Sequence, residues 1–280
     1  MKIKTKSKNP KLSPVFNMLE SALKIYWQNF NKFIRLFLWS LVGFLPLFFL
    51  SFLAFLLQDI WGINSLGLQL SLAVLVTFSL LWLAYYFARV YISVFLMIKN
   101  NFKKNTWPQF KESRMIVWSY ISLIFLTIIF LSPLFLIGLA FMVSINLLPM
   151  APMVLAMLLF CALILFTLAF ILVIFFGVST FSLVFENLNG LQALRRSMFL
   201  VEKYWWAVLG RMLFFALVVW VFSLLISFPL ALASTESAFY RAWQGIVNLV
   251  QILISPIYLL YMVQVYRDLV KIKGPMPKKR

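Results

Sequence analysis

The sequence predicts an all-α polytopic membrane protein with six transmembrane helices. Of its 280 residues 64% are hydrophobic and only 11% are charged. Several apolar runs reach twenty residues or more, and a spanning helix needs about 20. The runs at 115–138 and 151–177 lack the alternation of polar and apolar residues that marks the strands of a membrane barrel. We therefore expect helices, arranged as three hairpin repeats with amphipathic helices at the membrane interface.

Six apolar segments are long enough to cross a bilayer. They are residues 33–57, 66–87, 116–138, 151–176, 212–233 and 243–266. The first segment is too long for the apolar region of a signal peptide and ends without a small-x-small cleavage site. We expect it to stay in the protein.

The placement of basic residues predicts the orientation of these spans. All but Arg89 and Arg241 of the 25 lysines and arginines fall near the N-terminus, in 99–114, in 195–211 or near the C-terminus. The opposite loops, 58–65 and 146–150, contain neither residue type. Because short basic loops stay on the cytoplasmic side, both termini should face the cytoplasm of a bacterial cell, with the chain in its inner membrane.

A net charge of +18 would fit nucleic acid as well as lipid. The charges, however, cluster at the predicted ends of hydrophobic spans, where anionic headgroups attract each basic side chain by about 1 kcal/mol. We therefore expect anionic phospholipids as partners and no nucleic acid. The basic tails, 1–11 and 274–280, are interpreted as topology signals.

An internal repeat organises the predicted single transmembrane domain, 1–280. Pro46, Pro133 and Pro229 stand in the odd-numbered spans, 87 and 96 residues apart, and a leucine follows each. This spacing fits three two-helix units, 12–101, 102–189 and 190–275. Proline removes a backbone hydrogen bond and bends a helix. The bends could form a gate or be static kinks that improve packing.

Amphipathic segments precede the odd-numbered spans. In 15–30 the apolar residues recur with a 3.6-residue period, and Ser13 with Pro14 provides a helix start. Aromatic residues on its apolar side and Lys24 on its polar side predict a helix lying flat in the cytoplasmic interface. Weaker equivalents occur at 106–114 and 191–206.

One segment resembles a known family. Glu186 and Gly190 are followed by Ala193-Leu194-Arg195-Arg196-Ser197, then by Trp205 and Trp206 where the fifth span begins, and the sixth ends in Tyr-x-x-x-x-Tyr-Arg-Asp at 261–268. This pattern is similar to the membrane domain of bacterial glycerophosphodiester phosphodiesterases and to related six-helix inner-membrane proteins. The resemblance implies membrane residence without phosphodiesterase chemistry, because that activity belongs to a separate soluble domain.

Residues that could catalyse a reaction or hold a metal are scarce. The chain has no histidine, and its single cysteine, Cys161, lies in the middle of a span. None of the seven acidic residues falls inside a predicted span, whereas a metal pair or a proton relay would need carboxylates there. We therefore expect no catalytic residues, no metal and no cofactor, and the protein should not be an enzyme.

Two charged sites each allow two interpretations. Glu186 could form an ion pair with Arg195 or Arg196 and fix the angle of the following helix. Alternatively Glu186, Arg195, Arg196 and Ser197 could contact a headgroup or a protein partner, since arginine presents a planar fork suited to phosphate. Arg89 either reaches into the headgroups from a span that ends near Phe87, or is buried and faces a cavity, a carbonyl or an anionic ligand.

A polar stripe on the sixth span is the most informative feature for function. Gln244, Asn248, Gln251 and Ser255 share one helix face, directly before Pro256, and should point inward. They could form hydrogen bonds between helices or line a passage for a substrate or a lipid headgroup. The favoured function is a non-enzymatic protein that binds or organises lipid or anchors partners. The alternative is a transporter, permease or lipid-translocating protein.

Overall fold

A computed structural model describes residues 12–57, 66–147, 152–231, 234 and 237–274, and the described chain is about 90% helical with no β-strand. The helices are α1 (Val15–Gln28), α2 (Phe30–Val42), α3 (Leu45–Phe55), α4 (Leu66–Lys99), α5 (Thr106–Leu147), α6 (Pro152–Phe176), α7 (Ser179–Phe185), α8 (Gly190–Val201), α9 (Trp205–Ala231) and α10 (Ala238–Lys273). The expected all-α class is confirmed.

Six stretches of the described helices are long and apolar enough to cross a membrane, so the chain is a multi-pass membrane protein. They are Phe30–Phe55, Gln69–Lys99, Thr106–Leu139, Ala156–Phe185, Trp205–Leu230 and Ala238–Lys273. Each contains the middle of one predicted span. The tails 1–11 and 275–280, the loop 58–65 and most of the loop 146–150 lie outside the described residues.

Three helices continue well past the span ends that hydropathy predicts. α4 has 34 residues, α5 has 42 and α10 has 36. At 1.5 Å per residue each exceeds 50 Å, against a hydrocarbon thickness of about 30 Å. The amphipathic segment expected at 106–114 therefore forms the first turns of α5 and no separate helix, whereas the one expected at 191–206 corresponds to α8.

The first span is interrupted at Gly43 and Phe44, and both residues keep right-handed helical dihedrals. The sequence predicts one helix bent at Pro46, but α2 ends at Val42 and Pro46 lies in the first turn of α3. Gly43 and Phe44 bridge the break with N–H groups that donate to the carbonyls three residues earlier, at 3.0 and 3.1 Å. A Cβ on Gly43 would lie 3.0 Å from the Tyr86 ring, so glycine permits the close approach of α4.

The chain forms two compact units. The smaller, residues 28–121, packs α2 and α3 against α4, and Trp39 lies against Trp107 and Phe110 at the start of α5. The larger comprises 1–27 and 122–280. In it α9 packs against α10, α7 against α8, and α6 against both α8 and α9. The three-unit repeat stays a prediction.

Packing in the larger unit becomes tighter toward one end of α10. From Ile257 to Leu269 most side chains of this helix are buried, whereas Ile246, Leu249 and Ile252 are about half exposed. We call the tightly packed end, where α9 begins and α10 finishes, the basic end. The exposed apolar part of α10 is the part suited to contact with lipid.

Candidate functional site

The polar stripe of Gln244, Asn248, Gln251 and Ser255 lies on the outer face of α10, so the expectation that it points inward is wrong. Gln244 is half-buried and the other three are exposed. The hydrogen bonds that the stripe makes within the described residues stay inside α10: the Gln244 amide donates to Asn248 Oδ1 at 3.0 Å, and Ser255 Oγ donates to the Ile252 carbonyl at 2.8 Å. The stripe therefore does not join α10 to another described helix by hydrogen bonds.

A groove opens beside the half of the stripe that is nearer to the basic end. It lies between α6, α9 and α10 and has a volume of about 700 Å³. Gln251 and Ser255 line it, whereas Gln244 and Asn248 do not. The groove brings together residues from Phe170 on α6 to Tyr258 on α10.

The groove is open along the outer surface of the unit. Its floor contains Ile174, Leu209 and Phe215, which are buried, while Leu213 and Trp220 at its margin are 54% and 60% exposed. Its α9 wall runs from Leu209 to Ser223. At 1.5 Å per residue this wall is about 21 Å long.

The lining of the groove is apolar apart from four neutral polar side chains. These are Ser223 on α9 and Gln251, Ser255 and Tyr258 on α10. The Tyr258 ring packs against Phe215 with ring centres 5.3 Å apart. Such a lining has the chemistry that suits a long apolar molecule with one polar group.

α1 packs along α9 and α10 and begins at the basic end. The Ser13 N–H donates to Asp268 Oδ2 at 2.9 Å, and Arg211 Nη2 donates to the Ser13 carbonyl at 2.8 Å. At the other end of α1 the Tyr26 hydroxyl donates to the Leu253 carbonyl at 2.7 Å. Burial raises the pKa of Tyr26 above its usual value, so its hydroxyl remains a donor at neutral pH.

These contacts give α1 a different direction from the one the sequence predicts. The distance from Asp268 to Leu253 along α10 is about 22 Å, and the distance from Ser13 to Tyr26 along α1 is about 20 Å. The two contact points are therefore about equally far apart on both helices. Helices that cross touch over only about one helix diameter, so α1 and α10 must run side by side. α1 therefore does not lie flat across the ends of α9 and α10, and it buries Met18, Ala22 and Tyr26.

Glu186 forms the ion pair that joins α7 to α8. Arg196 Nε lies 3.0 Å from the Glu186 carboxylate, and the Tyr266 hydroxyl donates to the same carboxylate at 2.7 Å. The Arg196 side chain is 2% exposed and Glu186 is 29% exposed. The Tyr266 ring stacks on Phe181. The cluster ties α10 to the junction of α7 and α8.

The other two residues of this predicted site face in different directions. Ser197 is buried, and its hydroxyl donates to the Phe175 carbonyl at the end of α6. Arg195 is exposed. Of the four residues expected to contact a headgroup or a partner, Arg195 is the one whose charge is at the surface.

Comparison with known proteins identifies a family. The model of the domain of unknown function DUF7847 matches residues 107–269. The chain belongs to the DUF7847 family. No curated protein and no solved structure matches it.

The DUF7847 segment contains the whole groove, the polar stripe and the Glu186–Arg196 pair. It does not contain α1, nor Arg89 on α4. The similarity to glycerophosphodiester phosphodiesterase membrane domains stays a prediction.

Arg89 lies outside the DUF7847 segment and faces a carbonyl. α4 continues ten residues beyond it to Lys99, and Arg89 Nη2 donates to the Phe110 carbonyl at 2.9 Å. Its guanidinium lies 4.0 Å from the centre of the Phe110 ring. These contacts hold the start of α5 against α4, and the half-buried Arg89 side chain faces a carbonyl.

The described residues contain no group of three or more His, Cys, Asp or Glu that could hold a metal ion. Cys161 is half-buried in α6. The expectations of no metal, no cofactor and no catalysis stay predictions.

Sequence reasoning missed the walls of the groove. Met212, Ala216 and Trp220 on α9 and Phe170 on α6 line it, and they are ordinary apolar residues of spanning helices. Their hydropathy is the same whether they face lipid, a groove or another helix. A signal was present only on α10, where Gln251 and Ser255 interrupt the apolar pattern.

Proposed function

We propose that the protein is a non-enzymatic lipid-binding protein of the bacterial cytoplasmic membrane, in which the groove holds an acyl chain of a phospholipid. The observation that carries the proposal is the groove between α6, α9 and α10, which is apolar, open along one side and lies in three membrane-spanning helices. In the bilayer an open apolar groove of this kind faces lipid.

The dimensions of the groove support an acyl chain as its occupant. Its volume of about 700 Å³ falls in the range of roughly 300–1,000 Å³ typical of small-molecule sites. Its α9 wall of about 21 Å exceeds the roughly 15 Å of hydrocarbon in one leaflet. A chain that lies in the groove would therefore be covered over the full depth of its own leaflet.

Exposed charges at the basic end support an anionic lipid with its headgroup there. Arg195 and Lys271 are exposed there, and basic side chains near a membrane surface attract anionic headgroups. By the positive-inside rule the basic end and both termini face the cytoplasm. The plan of three two-helix repeats belongs to the same proposal.

Native mass spectrometry of the purified protein, released from nanodiscs that contain phosphatidylethanolamine and phosphatidylglycerol, tests this function. The informative variant is Ala216→Trp, which places an indole inside the groove. The matched control is Ala156→Trp, at an exposed position of α6 outside the groove lining. A third variant, Gln251→Leu, removes the amide that would orient the lipid.

We expect the wild type and Ala156→Trp to retain about one phospholipid per chain, since one groove of this size accommodates one such ligand. Ala216→Trp should lose it, and Gln251→Leu should release it at lower collision energy. A wild type without lipid, or the same lipid adduct on all four proteins, would refute the proposal.

A further inference from the structure

We infer that the polar stripe of α10 carries a phospholipid headgroup through the hydrocarbon while the acyl chains stay in the groove and the surrounding lipid. This inference rests on the proposed lipid binding and adds an activity to it: exchange of phospholipid between the two leaflets. The starting point is that the polar stripe continues beyond the outer end of the groove.

The polar stripe is part of a longer polar line on α10. Arg241 precedes Gln244 by three residues, and Tyr258 follows Ser255 by three, so the line keeps the spacing of three and four that places side chains on one helix face. From Arg241 to Tyr258 is about 26 Å at 1.5 Å per residue. This length is close to the roughly 30 Å of the hydrocarbon core.

The line is on the surface where lipid meets the protein. Arg241, Asn248, Gln251 and Ser255 are exposed within the described part of the chain. An amide in hydrocarbon without a hydrogen-bond partner is unfavourable. Gln244 and Asn248 relieve this by bonding to each other, and Ser255 bonds within its own helix. The Gln251 amide has no hydrogen bond among the described residues, so it is the position at which a polar group of the lipid fits best.

The groove and the line complement the two halves of a phospholipid. The apolar walls contributed by α6 and α9 suit the acyl chains, and the amides and hydroxyls of α10 suit the phosphate and ester oxygens. A water-soluble solute would instead require a polar path enclosed on all sides, whereas the margin of this groove is exposed at Leu213 and Trp220. The chemistry therefore favours a lipid over a free solute.

The line is neutral along most of its length. Between Arg241 and Arg267 on α10 there is no charged residue, and the groove lining is uncharged. Movement through a membrane site requires binding that is favourable enough for entry and weak enough for release, and neutral amides meet both conditions for a phosphate. Without an acidic or basic side chain among the described lining residues, the exchange is passive and runs in both directions. Arg241 is placed at the outer end, where it attracts the phosphate.

A fluorescence assay in liposomes tests the exchange. The protein is reconstituted into vesicles of phosphatidylethanolamine and phosphatidylglycerol with a trace of headgroup-labelled lipid, and dithionite quenches the label in the outer leaflet. The test variant is Asn248→Leu with Gln251→Leu. The matched control, Ser71→Leu with Thr77→Leu, removes two exposed polar side chains from α4. Gln251→Asn serves as the conservative variant, and gel filtration confirms that each variant is folded.

With wild type, quenching should proceed beyond the outer leaflet to nearly all of the label. The test variant should be slower by about tenfold, a loss that corresponds to about 1.4 kcal/mol of stabilisation. The control and Gln251→Asn should keep at least half of the wild-type rate.

Two results would overturn the inference. If wild type leaves the inner leaflet unquenched but retains a phospholipid in mass spectrometry, the exchange fails and the proposed binding stands. If the test variant exchanges lipid as fast as wild type, the path does not run along the polar stripe. Exchange that depends on the polar stripe, without any retained lipid, would support the inference and refute stable binding in the groove.

Discussion

Two serines stand directly before prolines inside membrane-spanning helices and donate to equivalent carbonyls. Ser255 Oγ donates to the Ile252 carbonyl at 2.8 Å, and Ser132 Oγ donates to the Ile129 carbonyl at 3.4 Å. In each case the acceptor carbonyl lies four residues before the proline. It lacks its usual helical hydrogen bond, because proline has no backbone N–H to donate. At these residues the serine hydroxyl replaces part of the missing backbone bond.

Carbonyls three residues before two prolines receive donors from other helices. Trp243 Nε1 donates to the Ile226 carbonyl near Pro229 at 2.9 Å, and the Tyr26 hydroxyl donates to the Leu253 carbonyl near Pro256 at 2.7 Å. The sequence predicts that proline frees carbonyls and that neighbouring groups must supply donors. The sequence does not predict which groups supply these donors, because a donor can be far away along the chain: Tyr26 is 227 residues from its acceptor.

Replacing Tyr26 by phenylalanine should lower the free energy of unfolding by about 1 kcal/mol, the usual net contribution of one hydrogen bond. The same change in a Pro256→Ala background should have a smaller effect, because a straighter α10 satisfies its own carbonyls. Thermal unfolding in detergent measures both. Equal losses in the two backgrounds would mean that Tyr26 acts through packing and not through the carbonyl next to the proline.

Replacing Glu186 by alanine should destabilise the protein by about 3–5 kcal/mol, because it leaves the buried Arg196 guanidinium without a counter-charge. The matched control is Glu112→Ala, which breaks the exposed pair with Lys104 and should cost less than about 1 kcal/mol. Chemical denaturation in detergent compares them. Similar losses in both variants would contradict the structural role of the Glu186–Arg196 pair.

At the scale of elements, α1 shows what an amphipathic pattern can and cannot predict. The 3.6-residue period identifies the helix and its buried face, and the structure buries Met18, Ala22 and Tyr26 of that face. The pattern does not say what covers the face, since a membrane interface and a pair of helices both suit it. Tertiary contacts to Asp268, Arg211 and Leu253 decide the direction of α1.

Cysteine cross-linking tests this direction. In a Cys161→Ser background, cysteines at Phe16 and Phe214, whose rings lie 5.1 Å apart, should be joined by a short bismaleimide. Cysteines at Tyr26 and Leu253 should be joined by a short bismaleimide. The control pair, Ser21 with Phe214, should not react because Ser21 is exposed and lies about 140° around α1 from Phe16. If the first pair reacts and the second does not, α1 crosses α10 instead of following it.

The lengths of α4 and α10 also exceed what hydropathy predicts. Polar residues such as Arg89 in α4 and Gln264 in α10 end the apolar runs, so a hydropathy window stops near them. Each helix continues because its own side chains around and beyond that point are buried. Phe95 and Met97 in α4 and Tyr261 and Val265 in α10 are fully buried.

At the scale of the whole molecule, the number and type of spans follow from sequence because the bilayer sets a minimum length of apolar helix. The break at Gly43 does not follow, since the first span reads as one apolar run and a Pro at 46 fits either a kink or a new helix start. The groove is harder still to predict from the sequence, since it depends on which apolar faces of α6 and α9 remain uncovered. Its only sequence signal is the pair Gln251 and Ser255.

Labelling with a membrane-impermeant maleimide tests the orientation. In a Cys161→Ser background, Ser234→Cys, between α9 and α10, should react in intact spheroplasts. Lys104→Cys, between α4 and α5, should react only after lysis, because positively charged loops stay in the cytoplasm. The reverse pattern would place both termini outside and remove the support for a cytoplasmic basic end.

The most direct test of the proposed lipid binding is a cryo-electron microscopy structure of the protein in phospholipid nanodiscs, with a bound antibody fragment to aid alignment. We predict one elongated density between α6, α9 and α10, with a polar feature within hydrogen-bonding distance of the Gln251 amide. A groove closed by Trp220 and Tyr258, with no density between the three helices, would contradict this prediction.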